Sequence, residues 1–389
     1  MRRLAIALLA LGLCAPFAGG APAAGRCDGP LPRARAGLPA PVTITTACAR
    51  FRIGRDGRIR RLPKRSPVQR GVAWYPADGT WYKLEDRHLV VGRWHRRLWR
   101  SQRRFVPGYD VGAVTIGPHA LAFSFGGSAR LFVAALGSAE REVADGEYPL
   151  GWTRGGDLFT HTNGGGKLRL RHANGDLAAT LPGKVLGYTF DRLNGEVVFA
   201  QNGRVLRTDG SKTIRIASLA RLGLPRRPEI DPLGRLLALH DRRRIAVLRR
   251  DGSLFASTAL PRRRTRVDGL SSALTASLDA RSVAFTLTRG NTAYGSRGGE
   301  TVYLLRAGAR RAARLHTEHM RFAICERGAS LAWHGRWLLY AASEGNVVVL
   351  DGRGRRRALD LTRTVLRLPG SHGGEGHANV TVSWAFGAS

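Results

Sequence analysis

The chain has 389 residues, 43% of them hydrophobic, enough apolar material for a large core and an argument against a disordered protein. Its 63 lysines and arginines face 28 aspartates and glutamates, a formal net charge of +35 at pH 7. A field of that size draws anionic polymers such as wall polysaccharides, phospholipid surfaces and nucleic acid in a salt-dependent way, without choosing among them.

Met1-Arg2-Arg3, the apolar run from Leu4 to Leu13 and the small residues from Ala15 to Ala24 predict a secretory signal peptide over residues 1–24, cut near Ala23 or Ala24. Nothing later reaches 18 uninterrupted apolar residues, so no transmembrane segment is expected. The expected location is outside the cytoplasm: periplasmic, cell-wall associated or extracellular. Residues 25–42 read as a proline-rich, loosely structured segment. Cys14 leaves with the signal, and Cys27, Cys48 and Cys325 remain. The local disulfide is Cys27 to Cys48, which would close the Pro30 to Pro41 segment onto the first strand and contribute roughly 3 kcal/mol. Cys325, in Phe322-Ala323-Ile324-Cys325, then reads as a buried thiol, although spacing leaves the other pairings open.

Short β-rich segments divided by Gly, Asp and Asn turns recur from Gly71 onward, with almost no helical periodicity. Units begin near Gly71, Val111, Gly151, Val185, Glu229, Ala273 and Ser330. The clearest reads Glu229-Ile230, the turn Asp231 to Gly234, strand Arg235 to His240, the turn Asp241 to Arg243, strand Ile245 to Leu248, the turn Asp251-Gly252 and strand Leu254 to Leu260. Ser218 to Leu222 reads as a short helical connector. At the ends, Cys48 to Ile53 and Arg58 to Leu62 look like the last two strands of a further unit whose first strand is Val380 to Trp384.

Trp74-Tyr75-Pro76-Ala77-Asp78-Gly79, followed by the strand Thr80 to Glu85, resembles the Trp-Ser-Pro-Asp-Gly turn of the TolB-type, WD-like β-propeller repeat; Asp231-Pro232-Leu233-Gly234 is similar. The resemblance spans about residues 43–386 and implies an all-β propeller of four-stranded antiparallel blades around a central channel. Residues 43–389 are then one propeller domain, with eight blades if the two ends share a composite blade and seven otherwise. Such repeats serve as binding modules or as accessory domains of peptidases, and the fold alone does not fix function.

No Gly-x-Ser-x-Gly nucleophile elbow occurs. Asn163 to Lys167 lacks the first Walker glycine and is followed by Leu168 instead of Ser or Thr, so it reads as a hairpin turn. His316-Thr317-Glu318-His319 and His372 to His377 have no recognised metal spacing, and no metal or cofactor is assigned. The acids Glu85, Asp86, Asp145 and Glu147 read as scattered loop residues without catalytic roles. Aromatic side chains between Trp74 and Trp99 are expected to fill space between blades, as Trp81 and Leu98 would.

The leading expectation is an exported, non-catalytic, monomeric binding or scaffold protein of the bacterial envelope, whose partner is an anionic polymer or an envelope protein. A channel-centred polysaccharide lyase or hydrolase is the alternative. Propeller geometry gathers the links between blades with the turns between second and third strands. That arrangement nominates Arg226, Arg227, Arg242, Arg243, Arg262, Arg263, Arg264 and Arg266 as a basic surface.

Overall fold

The computed structural model describes residues 30–384 apart from 36, 47, 63–72, 76–79, 94–95, 106–110, 127–128, 165, 226, 242, 261–268, 278, 291–296, 322–328, 343–345, 354–358 and 372–380. The expected signal peptide, Cys27 and Cys325 lie outside the described residues.

Eight four-stranded antiparallel sheets are formed among the described residues. The first seven are consecutive meanders, numbered here as blades in chain order. Blade 1 runs from Ala73–Tyr75 to Arg96–Arg100, blade 2 from Val111–Ile116 to Arg141–Ala144, blade 3 from Glu147–Trp152 to Leu177–Thr180 and blade 4 from Gly187–Asp191 to Thr213–Ser218. Blade 5 runs from Glu229–Leu233 to Leu254–Ala259, blade 6 from Gly269–Ala276 to Ala313–Arg321 and blade 7 from Ser330–His334 to Leu359–Asp360. The eighth is the composite blade, in which Thr381–Trp384 pairs with Val42–Thr45, followed by Arg50–Ile53 and Ile59–Leu62. The helices are single turns, Leu219–Leu222 and Thr362–Leu366, the first where the sequence places its connector.

Two compact units are distinguished. One holds blades 1 to 5, and the other holds blades 6 and 7 with the composite blade. Inner strands are apolar on both faces, as in Ala120–Phe125, where all six residues are buried. Each face meets a neighbouring blade, so burial does not alternate with solvent. Leu89, Val91 and Trp99 of blade 1 pack on Phe123 and Phe132 of blade 2; Ala122 and Val133 of blade 2 share a cluster with Trp152 and Leu158 of blade 3. In the other unit Ile44, Phe51 and Trp384 of the composite blade pack with Leu339 and Val349 of blade 7. Full burial of each such side chain stabilises by about 1.5–3 kcal/mol.

Asn202-Gly203 forms a two-residue hairpin with both residues at positive φ, +48° and +71°, the geometry of a type I′ turn. The turn expected at Asp231 to Gly234 is shorter than the sequence indicates. Asp231, Pro232 and Leu233 continue the first strand of blade 5, paired with Ala238, Leu237 and Leu236. Gly234, at φ +67°, and Arg235 suffice to reverse the chain, and an edge strand accepts the proline because its missing donor need not face a partner.

The proline-rich segment is more structured than its composition suggests. Ala34, Leu38 and Ala40 are buried, and the Ala34 and Gly37 amides donate to the Gly57 and Arg55 carbonyls at 3.0 and 2.9 Å. Cys48 is disulfide-bonded, with its partner outside the described residues.

Candidate functional site

Glu147 is a strand residue, not a loop acid: it opens blade 3 and is fully buried. Arg171 grips its carboxylate in a bidentate pair, Nε to Oε2 at 3.0 Å and Nη2 to Oε1 at 2.7 Å. Thr160 donates at 2.7 Å and Arg169 also binds Oε1. Burial raises the carboxyl's pKa, but the donors from Arg171, Thr160 and Arg169 outweigh it and hold the group below its usual range. Arg171 in turn donates to the Gly175 carbonyl at 2.8 Å. The Glu147 carboxylate oxygens are taken up by protein donors, so the cluster braces blade 3.

Several arginines at the blade edges of the same unit are likewise engaged. Arg141 of blade 2 reaches Asp176 in blade 3 at 3.0 Å and holds that carboxyl below its ordinary value. Arg250 of blade 5 reaches Glu196 of blade 4 at 2.6 Å, where Arg207 also lies at 3.7 Å. Glu142 lies 3.4 Å from Arg103 and 3.7 Å from Arg130.

The composite blade differs. Strand alternation turns Phe51 and Ile53 inward, both fully buried, and puts Arg50 and Arg52 on the opposite face. The register sets Arg52 directly across from Arg60, both exposed, and Arg61 opposite Phe51, its guanidinium 5.9 Å from the ring centre. Arg33 and Arg35, on either side of buried Ala34, are exposed next to the 54–57 turn. From residue 30 to 62 the chain carries eight arginines and one acid, Asp56, which pairs with Arg58 at 3.5 Å. Arg50, Arg52 and Arg60 have no acidic partner among the described residues. Like charges placed opposite each other across a sheet are destabilising, so the Arg52–Arg60 pairing costs stability that no acid among the described residues offsets. Sequence reasoning passed over this face because its signal, arginine at every second position in two short segments, shows only once the segments are paired.

The nominated basic surface is described only in part. Arg227 and Arg243 are exposed in blade 5, and the Glu229–His240 pairing sets the link before the first strand beside the turn after the second. Asp241 caps that turn, accepting from the Arg243 and Arg244 amides at 2.8 and 2.7 Å. Arg226, Arg242, Arg262, Arg263, Arg264 and Arg266 lie outside the described residues.

His316 pairs with Glu318 at 2.9 Å, on the same side of one strand, whereas His319 falls on the other side by alternation. The second histidine group is outside the described residues. Among the described residues no three His, Cys, Asp or Glu side chains converge as a metal site would require. The Thr162 amide donates to the Lys167 carbonyl at 3.0 Å, closing the hairpin that leads into the third strand of blade 3, where Leu168 is buried. Trp81 and Trp99 are buried and Leu98 packs on the cluster between blades 1 and 2, the packing role their spacing suggested. No helix among the described residues is long and apolar enough to cross a membrane.

No known family model matches the chain, and no curated protein sequence does. Solved structures do. The apo structure of AztD from Citrobacter koseri aligns over 90% of this chain and 99% of its own, with a TM-score of 0.50 and 9% identity. Kluyveromyces lactis Hsv2 covers 72% of this chain and 92% of its own at a TM-score of 0.47 and 11% identity, and BamB from Moraxella catarrhalis covers 72% and 95% at 0.35 and 12%. The eight four-stranded antiparallel sheets, with the likeness to AztD, make the chain a β-propeller repeat protein. At such identity the likeness concerns the fold alone.

Proposed function

We infer that this is an exported, non-catalytic binding protein of the bacterial envelope that engages anionic polymers through a basic surface. The observation that carries the reading is the unneutralised Arg50, Arg52 and Arg60 face of the composite blade, kept despite its electrostatic cost. Side chains two residues apart on a strand stand about 6.8 Å apart, a ladder suited to successive charges on a polymer. The disulfide at Cys48 and the leader-like residues 1–24 support an oxidising, extracytoplasmic location, with Cys27 as the partner. Arg226, Arg227, Arg242, Arg243, Arg262, Arg263, Arg264 and Arg266 form a second basic contact in this reading.

The test is retention on heparin over a salt gradient. Replacing Arg50, Arg52 and Arg60 by Ser is expected to lower the eluting salt more than replacing Arg262, Arg263 and Arg264, and more than replacing Arg310, Arg311 and Arg355. Equal losses from all three sets would leave only the diffuse field of a +35 protein. Retention that does not change with salt would remove charge as the driver.

A further inference from the structure

Between blades 1 and 2 lies a cavity of about 460 Å³, within the size range of small-molecule sites, roughly 300–1,000 Å³. Its described lining includes Arg93, Arg96, Leu98, Ile116, Pro118 and Leu136, with no acid and no aromatic side chain among the described residues. Arg93 ends the third strand of blade 1 and Arg96 opens its fourth, and the aliphatic side chains come mostly from the facing turns of blade 2.

Arg93 is one acceptor short. Its Nη2 donates to the Ile116 carbonyl at 3.2 Å, while its Nε is buried with no hydrogen-bond partner among the described residues. A buried donor without an acceptor costs about 1–3 kcal/mol, and an incoming carboxylate that draws the guanidinium toward itself removes that cost with a charge-assisted bond. Arg96 is exposed at the rim, with no acidic partner among the described residues, and supplies a second positive charge. Apart from its two cations the described lining is aliphatic, offers no ring face on which sugars or bases would stack, and suits a saturated chain.

We propose that this cavity binds a medium-chain alkyl carboxylate, its head on Arg93 and Arg96 and its chain along Leu98, Ile116, Pro118 and Leu136. This goes beyond polymer binding and uses different residues. The experiment is calorimetric titration of the full mature chain with octanoate, 1-octanol and acetate. Octanoate is expected to bind at one site at least tenfold more tightly than either control. Arg96→Gln and Leu136→Glu, both at exposed positions, are each expected to weaken it at least fivefold without shifting the thermal midpoint. Octanol binding as tightly as octanoate would overturn the proposal, and so would the absence of saturable heat. The Arg52→Ser, Arg60→Ser double variant must leave octanoate affinity unchanged; a loss equal to that of Arg96→Gln would place octanoate in the general basic field and also overturn it. Heparin retention is read separately, so failure here leaves the polymer reading standing.

Discussion

Four arginines of blades 2 to 5 and their links and the facing pair of the composite blade share a residue type and a sheet architecture, yet their surroundings differ. In the first group Arg141, Arg103, Arg207 and Arg250 each meet a carboxylate, and Arg141, Arg103 and Arg250 meet one from an adjoining blade or link. In the second, Arg52 faces Arg60 with no acid within reach among the described residues. Charge count therefore says little about role. An arginine held by a neighbour's carboxylate orders the fold, whereas one held against another arginine is available to a ligand.

Breaking the buried member of the paired group should have the largest effect. Glu147→Gln leaves the Arg171 guanidinium buried without its counter-charge, and loss of one partner of a buried pair costs about 3–5 kcal/mol. A marked fall in the urea midpoint followed by tryptophan fluorescence, with heparin retention unchanged, is expected. A variant as stable as the parent would show that the pair contributes nothing.

Acid sharpens the same contrast. The Glu147 carboxyl is depressed, so its contribution is fully present above the unfolded value of about 4.3 and is lost as pH falls through the folded one. Burial also lowers the pKa of His161, whose contribution is present above about 6.5 and declines below it. Thermal midpoints should therefore fall between neutral pH and pH 4, and fall further below that. In Glu147→Gln the steeper loss below pH 4 should shrink.

The composite face should respond in the opposite sense. Arg52→Ser with Arg60→Ser relieves a like-charge pair worth about 0.2–1 kcal/mol, so unfolding midpoints should hold or rise slightly. The slope of log affinity for heparin against log salt should flatten by about one for each contact removed. A stability loss with an unchanged slope would reverse the roles assigned to the two groups. The smallest effect is expected from Arg141→Ser, which breaks an exposed pair that solvent screens, with no change on heparin.

Much of the fold is legible in the chain. The repeated short strands, the Asn202-Gly203 hairpin and the composite blade all follow from local pattern. Val42–Thr45 did not announce itself, because Pro39 and Pro41 read as linker and the strand's partner, Thr381–Trp384, comes from the other end of the chain. Glu147 looked like a scattered acid for a related reason: Arg169 and Arg171 meet it only after the chain has reversed twice.

By itself, then, the sequence determined strand periodicity, turn chemistry and the sign of the field, because each depends on residues a few positions apart or on a simple sum of charges. Only the tertiary structure decided which arginines are neutralised. Arg141 and Asp176, or Arg250 and Glu196, are far apart along the chain and close in space, and Coulomb attraction depends on the second distance alone. The same holds for the Arg52–Arg60 face, which takes its shape from a strand register that no local pattern of residues prints.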